Sequence, residues 1–161
     1  MERVVLLLGG NLGKRSELLA EMRNEIEVHI GLLEKISSLY ESEPWGFDHP
    51  TKFLNQVVIC TTSLLPLEVL EQIHSIEAKL GRVREGKGYS ARTADIDILF
   101  YGNISMKTQA LTIPHPRLHE RRFTLLPLVE LCPTFEHPTK KRSILELLEC
   151  CTDMSQVVKI A

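Results

Sequence analysis

The sequence predicts a mixed α/β fold of the α+β kind, on three observations. A short apolar run at residues 4–8 reads as a buried strand, two later segments carry apolar residues at helical spacing, and three further stretches read as extended. In chain order these give strand, helix, strand, strand, helix, strand. That is the ferredoxin-like βαββαβ pattern, with a mainly antiparallel sheet.

Each element has its own warrant. The turn GGNLG opens the first helix, with Asn11 as the expected N-cap, and Leu18, Leu19, Met22 and Ile26 then recur as one stripe. Residues 36–40 and 53–62 are extended, and EPWGFDHPTK between them has two prolines and a glycine, so an antiparallel hairpin is expected. Leu67, Leu70, Ile73, Ile76 and Leu80 repeat every three or four residues, and Gly81 stands where a left-handed C-terminal residue is wanted. The basic loop REGKGYSA then leads into a strand, ADIDILFY. Past Gly102, residues 123–131 read as helical, and Ser143 with Glu146 has capping-box spacing ahead of ILELLE. Extra C-terminal helices are therefore expected, the last one carrying Cys150 and Cys151, with 1–161 as a single domain.

Composition excludes several classes of function. With 161 residues, Lys+Arg 19 against Asp+Glu 21 and a net charge of -2, the chain has no nucleic-acid footprint, so any anion site must come from local clustering of bases. The first apolar run is too short for a membrane span and lacks a basic leader. Cys60, Cys132, Cys150 and Cys151 form no C-x-x-C pair, which fits a reducing compartment. The expectation is a cytoplasmic protein with small-molecule partners, no nucleic-acid or membrane partner, and nothing that demands more than a monomer.

The stretch RTADIDILFYGN places two acids in an apolar strand. Alternation sets Asp95 and Asp97 on one face, about 6.6 Å apart at Cα, with Ile96, Ile98 and Phe100 expected on the core side. Carboxylates so spaced can share hard cations, whereas buried and unpaired they would repel. DID alone favours a solvated polar face with each acid paired to a surface arginine. Arg82, Arg84, Lys87 and Arg92 ahead of the strand, and Arg121 and Arg122 after it, turn the reading toward a metal-bridged polyphosphate.

Other motifs carry less. GGNLGKRS imitates a P-loop but has Leu8 at the first glycine position and Arg15 at the final hydroxyl position. His115 and His119 have zinc-pair spacing, yet Pro114 and Pro116 argue against one helix, and a phosphate contact by His115 is the more economical reading. Trp45 stands in a loop. Phe53 and Phe123 suit either core packing or stacking on a flat heterocycle, with Asn55 on the strand face of Phe53 to bond a ring edge.

Taken together, GGNLG, FLNQVV, IEAKLGRVR, RTADIDILFYGN and IPHPRLHERRF, in this order and spacing from about residue 4 to residue 138, resemble the 6-hydroxymethyl-7,8-dihydropterin pyrophosphokinases of folate biosynthesis. The resemblance implies transfer of the β,γ-diphosphate of ATP to the pterin hydroxymethyl group with release of AMP. It makes Asp95 and Asp97 ligands of two Mg²⁺ ions, and Arg82, Arg92 and Asp97 catalytic, Asp97 as proton acceptor. ATP contacts are implied at His74, Glu77, Arg82, Arg84, Tyr89, Arg92, Ile98, His115, Pro116 and Arg121, and pterin contacts at Ser42, Glu43, Trp45, Phe53, Asn55, Asp95 and Phe123. Tyr89 stands where a tryptophan is frequent in the family, Pro116 where a tyrosine is, and Trp45 where a smaller apolar residue is usual. Two rivals stand beside this reading: a two-metal phosphodiesterase, which also uses paired acids and arginines, and a ligand-binding regulatory module on the same fold.

Overall fold

The computed structural model of the chain describes residues 1–11, 13–43, 52–81 and 94–161. Its elements are β1 (Glu2–Gly10), α1 (Arg15–His29), β2 (Leu32–Ile36), β3 (Tyr40–Ser42), β4 (Phe53–Thr62), α2 (Pro66–Gly81), β5 (Asp95–Tyr101), β6 (Met106–Lys107), β7 (Thr112–Ile113), a 3₁₀ turn (Leu118–Glu120), α3 (Arg122–Leu131), α4 (Ile144–Glu149) and β8 (Val157–Lys159). The main sheet runs β5-β1-β4-β3-β8, with β2 also on β4, and every pairing is antiparallel. This is the expected ferredoxin-like arrangement.

Both faces of the sheet are covered, which is why residues 4–8 of β1 and 57–60 of β4 read as unbroken apolar runs rather than alternating ones. Leu19, Met22 and Ile26 of α1 and Val69, Ile73 and Ile76 of α2 pack with Leu6, Leu8, Ile96 and Ile98 on one face. Leu125 and Leu128 of α3 and Ile144 and Leu147 of α4 pack with Val5, Leu7, Val57 and Phe100 on the other. Phe100 is fully buried there, edge-on to Phe135 at 4.9 Å between centroids. The capping box of α4 forms as expected: Ser143 Oγ accepts from Glu146 N–H, and Glu146 Oε1 accepts from Ser143 N–H at 2.8 Å. No helix among the described residues is long and apolar enough to cross a membrane.

Several local expectations are corrected. The first strand continues through Gly9 and Gly10, which pair with Asn55 and Leu54, so the reversal shifts to Gly13 at φ 66 and the helix starts at Arg15. Asn11 is consequently too early to cap it; Lys14 holds the cap position without a side-chain bond. Gly81 is the last helical residue rather than a left-handed one. A Cβ there would lie 2.7 Å from the Cβ of Ala94, so the glycine permits close approach of α2 to the start of β5.

The expected strand at 36–40 is instead two strands on β4, β2 beginning earlier at Leu32 and β3 at Tyr40. At the interruption, Ser37 Oγ accepts from Val57 N–H at 2.9 Å, so a side chain takes over a backbone position in the ladder. Phe100 leaves the face of Ile96 and Ile98. Val5 pairs with Phe100 but Leu6 pairs with Ile98, so Leu99 is a bulge and every side chain beyond it changes side. Finally, α4 ends at Glu149 with Cys150 exposed at its C-cap, and the chain proceeds to the strand β8 rather than continuing as helix.

Candidate functional site

The site grows out of one row across the sheet. Asp95 on β5 stands opposite Gly9 on β1, Gly9 opposite Asn55 on β4, and Asn55 opposite Tyr40 on β3; in the next row Asp97 stands opposite Leu7 and Leu7 opposite Val57. With no side chain at Gly9, the row has a gap between the aspartate and the amide. Asn55 is 3% exposed and its amide is oriented: Nδ2 donates to Ser42 Oγ at 2.8 Å and to Tyr40 O at 3.4 Å. Its Oδ1 lies 3.4 Å from where a Cβ on Gly9 would sit, so an acceptor faces the gap.

Over this row stands the start of α3. Arg121, in the cap position, and Phe123 complete a cavity of about 160 Å³ with Leu7, Gly9, Ser42, Glu43, Phe53, Asn55, Asp95 and Asp97. The Arg121 guanidinium carbon lies 5.7 Å from the Phe123 ring centroid, within cation–π reach. The volume is below the roughly 300 Å³ at which drug-sized pockets begin. Its lining combines two phenylalanines, a buried amide and two carboxylates, groups that suit a small flat heterocycle.

The electrostatics match that division. Burial pushes Arg121 below its usual value, against the pull of Asp97 and more weakly of Asp95, so a half-buried cation faces both carboxylates. Burial first, then Arg121 and Arg117, pushes His115 down to about 4. His115 is therefore neutral at pH 7, and because its Nδ1 accepts Arg117 N–H at 3.1 Å, its proton sits on Nε2. It offers an anion a hydrogen-bond donor rather than a charge.

Asp95 and Asp97 are both half-buried and present hard oxygen donors. Among the described residues no cluster of three or more His, Cys, Asp or Glu could cage a metal. The donor set therefore fits a cation that takes only one or two protein carboxylates and fills its shell with phosphate oxygens and water, which is the habit of magnesium beside ATP.

Glu77 is 7% exposed, and its Oε2 accepts Ile96 N–H at 3.0 Å, bonding α2 to the backbone between the two aspartates. His74 is exposed on α2, Ile98 is buried in the core on the α1 and α2 side, and Pro116 is exposed. These four residues and His115 do not line the cavity. His115 and His119 do not share a helix, since only His119 lies in the 3₁₀ turn. Trp45, Arg82, Arg84, Lys87, Tyr89 and Arg92, with most of the loops that carry them, lie outside the described residues.

A family model described as 7,8-dihydro-6-hydroxymethylpterin-pyrophosphokinase (HPPK) matches residues 5–133. The chain belongs to this family. It is accordingly an ATP-dependent pyrophosphokinase. The 2-amino-4-hydroxy-6-hydroxymethyldihydropteridine pyrophosphokinase of Bacillus subtilis (strain 168) is 41% identical over 132 residues, 81% of this chain and 78% of that protein. The protein of the same name from Aquifex aeolicus (strain VF5) is 39% identical over 146 residues, 91% and 90% of the two chains. Among solved structures, the wild-type HPPK-DHPS of Plasmodium falciparum shares the fold, with TM-score 0.74 at 18% identity over 92% of this chain; this chain spans 43% of that longer one.

Of the residues expected to serve an HPPK, the cavity gathers Ser42, Glu43, Phe53, Asn55, Asp95, Asp97, Arg121 and Phe123. Sequence reasoning missed Leu7 and Gly9. The signal for Gly9 is two glycines directly continuing an apolar run, a pattern that by itself marks a turn; only the pairing with Asp95 and Asn55 makes it part of a cavity.

Proposed function

We propose that this HPPK transfers the β,γ-diphosphate of ATP to the hydroxymethyl group of 6-hydroxymethyl-7,8-dihydropterin, releasing AMP, as a step in folate biosynthesis. The observation that carries the reading is the cavity itself, whose lining brings together Phe53, Phe123, the oriented amide of Asn55, and Asp95 and Asp97. The pterin stacks between the two rings. Asn55 Oδ1 accepts from a ring N–H, while Ser42, Glu43 and Trp45 bond or cover the remaining edge.

ATP lies outside the slot along β5. Ile96 N–H points away from β1 to Glu77, and alternation puts the backbone groups of Ile98 on that same open edge, where an adenine can bond. Ile98 thus serves through its backbone, and Glu77 by fixing the strand. His74, Tyr89 and Pro116 border the nucleotide; Arg84, Arg121 and neutral His115 hold its phosphates. Two Mg²⁺ ions held by Asp95 and Asp97 supply charge neutralisation on the phosphates between the substrates.

In the reaction the pterin hydroxyl oxygen bonds to the β-phosphorus, and the bond from that phosphorus to the oxygen bridging it to the α-phosphorus breaks. AMP leaves with that oxygen. Asp97 takes the hydroxyl proton, and Arg82 and Arg92 stabilise the charge that moves onto the transferred and departing phosphates. Most of the rate enhancement comes from holding hydroxyl and phosphorus in line, with water kept out. One domain spanning 1–161, acting as a monomer on small molecules, suffices for this chemistry.

The test is chromatographic. Purified protein with ATP, Mg²⁺ and the pterin alcohol is expected to form AMP, with none in the absence of pterin and at least about a hundredfold less in Asp95→Ala/Asp97→Ala. AMP formed without pterin would instead indicate a phosphodiesterase, and undiminished AMP from the double variant would remove the acids from the mechanism.

A further inference from the structure

Asp153 lies outside the cavity and beyond the residues 5–133 that match the family model. Its Oδ2 accepts Arg122 N–H at 3.0 Å, and its Oδ1 accepts Ser155 N–H at 3.0 Å. Arg122 is the first residue of α3, whose own cap position, Arg121, supplies no side-chain bond. The first N–H groups of a helix have no partner within it, and a carboxylate there also meets the positive end of the helix dipole. Asp153 therefore does from 31 residues away what an N-cap residue ordinarily does locally.

The residues on either side of the bonded N–H are Arg121 and Phe123, both in the cavity wall. A few residues beyond Asp153, β8 pairs with β3, Val157 opposite Ser42, and Ser42 lies in the opposite wall. The pairing continues past β8: Ile160 N–H donates to Leu39 O, and Leu39 N–H to Ala161 O, each at 2.9 Å. At the far end of α3, Glu130 Oε1 accepts from the Tyr40 hydroxyl at 2.6 Å. Segment 153–161 is thus a strap joined to both walls of the slot, through Asp153 on one side and β8 on the other.

We propose that Asp153 is a positioning residue for the pterin half of the site, fixing Phe123 and Arg121 through the Arg122 N–H. This rests on reading the cavity as the pterin slot. Of the groups assigned to the nucleotide only Arg121 adjoins the start of α3, whereas Arg82, Arg84, Arg92 and His115 lie elsewhere in the chain, so losing Asp153 falls more heavily on the pterin than on ATP.

Steady-state kinetics with each substrate varied separately test this. In Asp153→Ala the KM for the pterin alcohol is expected to rise about fivefold, the size of a lost cap, with KM for ATP and kcat within about twofold. Asp153→Asn keeps an acceptor oxygen and should recover most of the change. Ser143→Ala, which removes the cap of α4 away from the cavity, should lower the melting temperature comparably and leave the pterin KM as in the wild type. A wild-type pterin KM in Asp153→Ala, or an equal rise in Ser143→Ala, overturns the proposal. Should Asp153→Ala fail to fold, Asp153→Asn carries the test alone: a pterin KM raised reproducibly more than the ATP KM supports it, and an equal rise in both or no rise overturns it. Absence of pterin-dependent AMP in the wild type would instead overturn the pterin reading itself, a result distinct from an active enzyme indifferent to Asp153.

Discussion

The gap between Asp95 and Asn55 exists because position 9 carries no side chain. A Cβ alone would sit 3.4 Å from Asn55 Oδ1, so the backbone tolerates a substituent, but anything larger occupies the slot. Gly9→Val, favoured by strand propensity, is expected to leave the melting temperature within a few degrees while lowering kcat/KM for the pterin alcohol roughly tenfold or more. Thermal melts and initial rates on one preparation check this; a normal pterin kcat/KM would place the ring elsewhere. At this scale the sequence was partly legible. Asp95, Asp97, Phe53, Asn55 and Phe123 announce themselves by type and spacing, whereas a glycine on a strand reads as punctuation until its neighbours are known.

Elements were legible where one period dominates. The helix α2 and the box of α4 appear as read, each decided by residues close in sequence, although Leu67 is exposed and Val69 takes its place in the buried stripe. The interruption at Ser37, the bulge at Leu99 and the strand β8 were not, since each depends on pairing with a distant strand. The bulge matters to the site: it lets Phe100 join the core beneath α3 and α4 while Asp95 and Asp97 keep their face. Ser37 is similarly long-range. Ser37→Ala leaves the buried Val57 N–H without its acceptor and is expected to cost about 1–2 kcal/mol, lowering the melting temperature by roughly 5 °C. An unchanged melt would mean that a shifted backbone or a water replaces the hydroxyl.

Across the whole molecule, buried neutral histidines set the response to acid. His137 is 3% exposed; burial first, and then Lys140 and His119, push it down to about 4, and its Nδ1 accepts the N–H groups of Thr139 and Lys140. His115 is likewise held near 4. The unfolded chain binds these protons near pH 6.5 and the folded chain only near 4, so between those values the unfolded state carries more protons. Stability is therefore full above about pH 6.5 and falls as pH drops toward 4. A melting temperature at pH 5 roughly 5 °C or more below that at pH 7 is expected, with a shallower decline in His137→Asn, whose side-chain oxygen still accepts the two N–H groups. A variant with the wild-type slope would remove His137 from the explanation.

The central claim is that two phosphates, not one, pass to a pterin alcohol in a single transfer. ³¹P NMR of a reaction containing the protein, ATP, Mg²⁺ and 6-hydroxymethyl-7,8-dihydropterin tests it most directly. AMP and a coupled pair of doublets from a pterin diphosphate ester, growing in equal amounts, are expected. A pterin monophosphate accompanied by ADP, or free pyrophosphate with AMP and unchanged pterin, would contradict it.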